Sequence, residues 1–198
     1  VAHIRGSSVL STVRFVREHF GANSHAKVLE VLPARHCGTF LGPVREASWE
    51  PVEDLVAYME TARRLLAPDD QTFFKKIGVF AGHQTRDSGF KSLLGDSPEA
   101  AFKRAAVMWR SFYDVGRLEV ASQAPGEIVA RIREFPDTSR ALCQRITGFW
   151  EGCLHVVGTE QPHVEERICA LDGGAYCEMR VTWTLPSRSE PPDAGGYR

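Results

Sequence analysis

The apolar residues of this chain change period at Gly116, and that change restricts the fold more than any compositional figure. Before Gly116 they recur every three or four residues, the spacing of a helix with one buried face; beyond it they alternate, as in a strand. The helical part opens with Val9, Val13, Val16 and Phe20 on one face, Ser8 placed to cap it and Gly21 to stop it. A short helix after Asn23 turns Val28, Leu29 and Leu32 inward. From Pro51 a stripe of Val52, Leu55, Val56, Met59, Ala62, Leu65 and Leu66 predicts a third helix. Asp69 or Asp70 begins another, through Phe73, Phe74, Ile77 and Phe80. Ser97-Pro98-Glu99 is a start signal, and one helix is expected from there to Gly116, with Phe102, Ala105, Ala106, Trp109, Phe112 and Tyr113 on one face.

After Gly116, Leu118, Val120 and Ser122 alternate with Glu119 and Ala121. Ala124-Pro125-Gly126 makes a turn, and Ile128, Ala130 and Ile132 form the return strand. Asp137 or Ser139 then caps a helix running to Gly158, apolar on most sides and therefore buried. A second hairpin spans roughly 162–170 and 176–185, joined through Asp172-Gly173-Gly174. The expected class is α+β: N-terminal helices, then a strand–strand–helix–strand–strand antiparallel unit with helices on one face of the sheet. Residues 1–50 read as a helical extension available for dimerisation, 51–185 as the ligand-binding domain, and 186–198 as a disordered tail rich in Pro, Ser, Gly and charge.

A hydrophobic fraction of 43% suffices for a core, and a net charge of -1 gives no general attraction to nucleic acid. No run of about 18 apolar residues exists to span a membrane, and the first residues carry no apolar signal core, so a cytoplasmic location is expected. A Gly-rich phosphate loop, HExxH and GxSxG are absent. Glu165-Glu166 are neighbours on opposite strand faces and cannot act as an acid/base pair. A non-enzymatic chain is therefore expected.

The five cysteines, at 37, 143, 153, 169 and 177, are an odd number in a chain read as cytoplasmic, which favours free thiols or metal ligands over a disulfide framework. Glu166 shares a strand face with Val164 and Ile168, and a carboxylate in an apolar row needs a partner. Cys177 lies on the corresponding face of the neighbouring strand. Cys169, three residues after Glu166, would point away from a regular strand and is brought back by a bulge or an early strand end. Cys143 sits on the helix that covers the sheet. Two readings stand on spacing alone: three thiolates and a carboxylate form a closed four-coordinate site, or the cysteines are small core residues and Glu166 pairs with Arg180 or Arg145.

The segment from Cys143 to Cys177, ending EERICALDGGAYCEMRVTW, resembles the vinyl-reductase-type sensor domain, whose relatives include the aromatic-effector domains of phenol-responsive transcription activators. RGSSVLSTVRFVREHFG and MWRSFYDVG make the whole chain similar to a paralogous family abundant in myxobacteria, a variant of the same fold. The resemblance implies zinc at Cys143, Glu166, Cys169 and Cys177, and a small apolar or aromatic molecule between helices and sheet. Phe80, His83, Trp109, Phe112, Tyr113, Phe149 and Trp150 are the residues expected to line such a pocket, although large side chains at helical spacing equally build a filled core. The implied biology is signalling through a homodimer or a separate output protein.

Two alternatives belong to other classes. The fold is related to haem-NO-binding domains, which makes a haem gas sensor the second reading, with His83 as axial ligand. The Y-x-S-x-R propionate clamp of that family is incomplete, because Tyr113-Asp114-Val115-Gly116-Arg117 has Val in the Ser position. The third reading is a scaffold of the same topology with no ligand.

Overall fold

The computed structural model describes residues 1–87, 89–136 and 138–184. A helical layer comes first in the chain: β1 (His3–Arg5), α1 (Gly6–Phe20), α2 (Ser24–Val31), β2 (Trp49–Pro51), α3 (Val52–Leu66), α4 (Phe73–Gln84), α5 (Lys91–Leu94), α6 (Pro98–Lys103) and α7 (Ala105–Phe112). The second part is β3 (Arg117–Ala124), β4 (Glu127–Arg133), α8 (Arg140–Val156), β5 (Glu160–Ile168) and β6 (Cys177–Thr184). These four strands form one antiparallel sheet in the order β3-β4-β6-β5. The α+β class expected from the change of period is the observed one.

The sheet is two-faced because its strands alternate. Ile128 pairs with Val181, Ala130 with Met179 and Ile132 with Cys177, and all six side chains are buried towards the helices. The opposite face is a ladder of ion pairs: Arg133 with Glu119 at 2.5 Å, Arg131 with Glu178 at 2.8 Å, and Arg180 with Glu127. Tyr176 lies beneath the Arg131 and Arg133 guanidinium groups.

Helix α8 lies between this sheet and α4, and glycine sets its distance from α4. Gly78 and Gly82 on α4 face Gly148 and Gly152 on α8. A Cβ at Gly78 would stand 2.0 Å from the Arg145 carbonyl oxygen, and one at Gly148 2.0 Å from that of Lys75. The helices thus touch backbone to backbone. The signal was in the sequence, since both helices carry Gly-x-x-x-Gly, but it is not an apolar pattern and the periodicity reading passed over it.

The boundaries differ from expectation in two places. Ser8 does not cap α1, because β1 runs straight into the helix and the first amides are bonded by the loop before β2. Gly6 N–H donates to Ser48 O at 2.9 Å and Ser7 N–H to Glu46 O at 3.1 Å. Ser8 is therefore a buried helical residue whose carbonyl accepts the Ser11 and Thr12 hydroxyls. The single helix expected from Ser97 to Gly116 is broken at Arg104 (φ -101°, ψ 6°), whose guanidinium turns back to the Ser92 and Leu93 carbonyls. Ser97 and Ser139 do cap α6 and α8, accepting from Ala100 and Leu142 N–H; the alternative cap Asp137, the strand end at 185 and the tail 186–198 lie outside the described residues. Segment 1–50, expected as an extension, contributes Ile4, Val9, Phe15, Val16 and Val28 to the same core as the rest of the chain. Of the apolar surface on which the expectation of pairing rested, Val9, Phe15, Val16, Val28 and Leu32 are buried, while Leu10, Phe20 and Val31 remain exposed.

Candidate ligand cleft and thiol cluster

The breadth of the α8 apolar surface follows from its position: one side of the helix faces the sheet and another faces α1 and α4. Tyr113, at the end of α7, and Trp109 stack with ring centroids 4.3 Å apart, and Phe135 meets both edge-on. Trp109 Nε1–H donates to Val115 O at 2.9 Å. Trp150 stacks on Phe102 at 4.3 Å, and Phe149 meets Phe112 edge-on at 5.2 Å. Between these rings a cavity of about 30 Å³ remains, with Trp109, Phe112, Tyr113, Phe149 and Trp150 in its wall. That is room for water, an order of magnitude below the roughly 300–1,000 Å³ of ordinary ligand sites.

The other two residues expected at the pocket are elsewhere. Phe80 packs against Phe15 and His19 on the outer side of α4. His83 faces His155, ring centroids 5.4 Å apart, and burial followed by the His155 and Arg86 charges pulls its pKa down.

A larger space, which the sequence reading missed, adjoins the cavity. A cleft of about 410 Å³ opens between α1, the end of α4 and α8, and it shares Ser8, Phe112, Arg145 and Phe149 with the aromatic cavity. It falls within the ordinary range of ligand-site volumes. Arg145 is 3% exposed. Its Nη2–H reaches the Ser8 carbonyl only at 3.4 Å, and Tyr113 is its other polar neighbour. Among the described residues its Nε–H has no partner, nor has the buried Ser7 Oγ, and both residues line the cleft. Burial pushes the Arg145 pKa down and that of Tyr113 up. The signal in the sequence was an Arg in the middle of an otherwise apolar helix stretch, ALCQRITGFW, read only as a partner for Glu166.

On the sheet side of α8, donor atoms of Cys143, Glu166, Cys169 and Cys177 lie within 4.8 Å of one another. Cys169 is brought round by a register shift between Glu166 and Ile168 and by the end of β5. The group also binds itself together: Ala170 N–H donates to Cys177 Sγ at 3.4 Å, and Arg140 approaches Glu166 at 3.8 Å while pairing with Asp172. The Cys143 thiol donates to Cys177, holding the latter at about 7 and driving its own pKa up. Neither Arg180 nor Arg145 is the partner of Glu166. Cys153 is buried core, and Cys37 is half-exposed.

A helical layer over an antiparallel sheet in the order β3-β4-β6-β5 recurs in solved structures. The fold is that of the H-NOX domains. An Fe(II) unliganded H-NOX protein from K. algicida matches with TM-score 0.67 and 10% identity, over 94% of this chain and 100% of that one. The S. oneidensis H-NOX protein in its Fe(II)NO ligation state matches at 0.65 and 14%, over 91% and 99%. An H-NOX structure solved to probe haem distortion matches at 0.68 and 12%, over 94% and 98%. No family model matches the chain, and no curated protein matches it.

The expected relation to haem-NO-binding domains is thereby shown at the level of fold. The expectation of zinc is overturned. The matched domains are described by Fe(II) and haem, and thiols and a carboxylate that satisfy one another by hydrogen bonds do not by themselves select an ion. No helix among the described residues is long and apolar enough to cross a membrane.

Proposed function

We propose that this chain is a non-enzymatic, cytoplasmic sensing module for a small molecule, dissolved gases included, which passes its signal to a separate output protein. The observation that carries the reading is the cleft beside α8, which shares Ser8, Phe112, Arg145 and Phe149 with the aromatic cavity and is lined by two residues whose buried polar atoms have no partner among the described residues. The likeness to domains described in Fe(II) and Fe(II)NO states supports sensing as the class of function. It favours the gas-sensor alternative over an apolar ligand accompanied by zinc. The finer relation to vinyl-reductase-type domains and the myxobacterial family belongs to the same proposal, as does the homodimer.

Haem is the group this fold implies, and the residues present do not fit it in this conformation. The cavity between helices and sheet measures about 30 Å³, and no imidazole or thiol is in its wall. His83 faces His155 outside it. A porphyrin would need Trp109, Phe112 and Trp150 to part.

The test is native mass spectrometry with an absorbance spectrum on protein purified under mild conditions. A stoichiometric small-molecule mass supports the module as drawn. A stoichiometric Soret band lost in His83→Ala assigns the gas-sensor form. Apoprotein that also shows no thermal shift with a panel of small aromatic and aliphatic compounds would remove the sensing reading.

A further inference from the structure

Arg145, 3% exposed and with no carboxylate in contact with its guanidinium among the described residues, is an unfinished electrostatic arrangement. Taking a charge out of water costs several kcal/mol, and proteins retain such groups where a counter-charge completes them. Among the described residues Arg145 makes a long bond to the Ser8 carbonyl and a side-chain hydrogen bond to the Tyr113 hydroxyl. Neither contact is an anion. Its Nε–H and the Ser7 hydroxyl are both shielded from solvent and unpartnered among the described residues, and both residues line the cleft. The backbone contact between α4 and α8 fixes the position of Arg145, since Gly78 packs on its carbonyl oxygen. The rim of the cleft carries Arg14, paired with Glu18, together with Glu46 and Asp87, and so leans towards negative charge. An anion would be drawn past that rim only by the buried positive charge of Arg145 on the floor. Beside Arg145 the floor is apolar, made by Phe112 and Phe149, which also wall the aromatic cavity.

We propose that the cleft takes a small aromatic carboxylate, its oxygens held by the Arg145 guanidinium and the Ser7 hydroxyl and its ring against Phe112 and Phe149. This rests on the sensing reading and adds the chemical class of the ligand. A carboxylate accepts a forked pair of N–H bonds in the plane of a guanidinium, and such charge-assisted bonds are about twice as strong as neutral ones. A ring of benzoate size suits an apolar floor whose volume lies partly in the cleft and partly in the cavity that ring movement would enlarge.

Calorimetric titration of the full chain with benzoate and with benzyl alcohol, near-isosteric and neutral, separates the two ideas. Benzoate is expected to bind roughly tenfold or more tighter than benzyl alcohol. In Arg145→Met that preference should disappear while the melting temperature of the ligand-free protein stays level or rises, because an uncompensated charge has been removed. If Arg145→Met fails to fold, the wild-type Arg145 Nε–H resonance decides: a shift that saturates with benzoate supports the proposal, and an unmoved resonance overturns it. Equal binding of the two probes overturns the carboxylate inference and leaves the sensing reading standing. Binding of neither overturns both.

Discussion

At the scale of the residue, the aromatic group on α7 and α8 shows how one set of side chains answers to two descriptions. Trp109 is 4% exposed, stacked on Tyr113 and bonded to the Val115 carbonyl, and it also edges a cavity. With only about 30 Å³ of free space beside it, Trp109 behaves as core. Trp109→Ala should therefore cost about 3–5 kcal/mol in urea unfolding, with an unchanged denaturant slope. A cost near 1 kcal/mol would mean that the wall yields as a ligand pocket does. The thiol cluster makes a second prediction. Cys177 is 5% exposed and accepts bonds from Cys143 and from the Ala170 amide. Cys177→Ser should lower the melting temperature by several degrees, and Cys37→Ser, half-exposed and bonded only weakly to its own turn, by much less. Equal losses would show that the cluster adds nothing to ordinary thiol burial.

The helix pair α4–α8 is the element on which the candidate site depends. Its four glycines let the two backbones meet, and that approach presents Arg145 to the cleft on one side and Cys143 to the hairpin on the other. Gly148→Ala would place a methyl group 2.0 Å from the Lys75 carbonyl oxygen, a backbone atom that cannot turn aside. Overpacking of this kind costs about 1–3 kcal/mol, and here the helices must also separate. The expected result is a melting temperature lower by several degrees and weaker binding in the cleft. Gly158→Ala is a suitable contrast: no atom lies within 4 Å of its added Cβ, so its cost comes only from the positive φ of 82°. Differential scanning calorimetry of the two variants decides; a Gly148→Ala protein as stable as wild type would mean that the glycines do not set the spacing. The Gly-x-x-x-Gly pattern was legible in both helices, but only the pairing of α4 with α8 shows that the patterns meet.

For the whole molecule, the question is whether the first fifty residues are an extension or part of the fold. Ile4, Val9, Phe15, Val16 and Val28 lie in the common core, β1 closes on β2, and Asp114 holds His3 through both its backbone N–H and its ring. α1 also supplies Ser7 and Ser8 to the cleft. Deleting residues 1–50 should therefore remove the cooperative transition of the remainder, measured by far-UV circular dichroism on heating. A truncated chain that melts cooperatively near the wild-type temperature would restore the division into extension and domain.

The sequence by itself determined the class of fold, because the period of apolar residues reports local geometry directly: helical before Gly116, alternating after it, with one long helix between two hairpins. At the thiol cluster the spacing left two readings open and strand parity turned Cys169 away; the four residues came together as a set only through the resemblance, and the shift in register near the end of β5 is what gathers them. Tertiary structure alone decided the rest. The cap of α1 is a loop some forty residues away, which no local signal announces. The aromatic stripe reads the same whether it fills space or lines it, and only the packing of α7, α8 and β3 shows that the space is nearly full. In sequence Arg145 is marked only by its place in a helix that is apolar on most sides. It becomes a candidate binding residue because α1 and α4 close over it and, among the described residues, no carboxylate reaches it, a fact about long-range packing and not about the chain near residue 145.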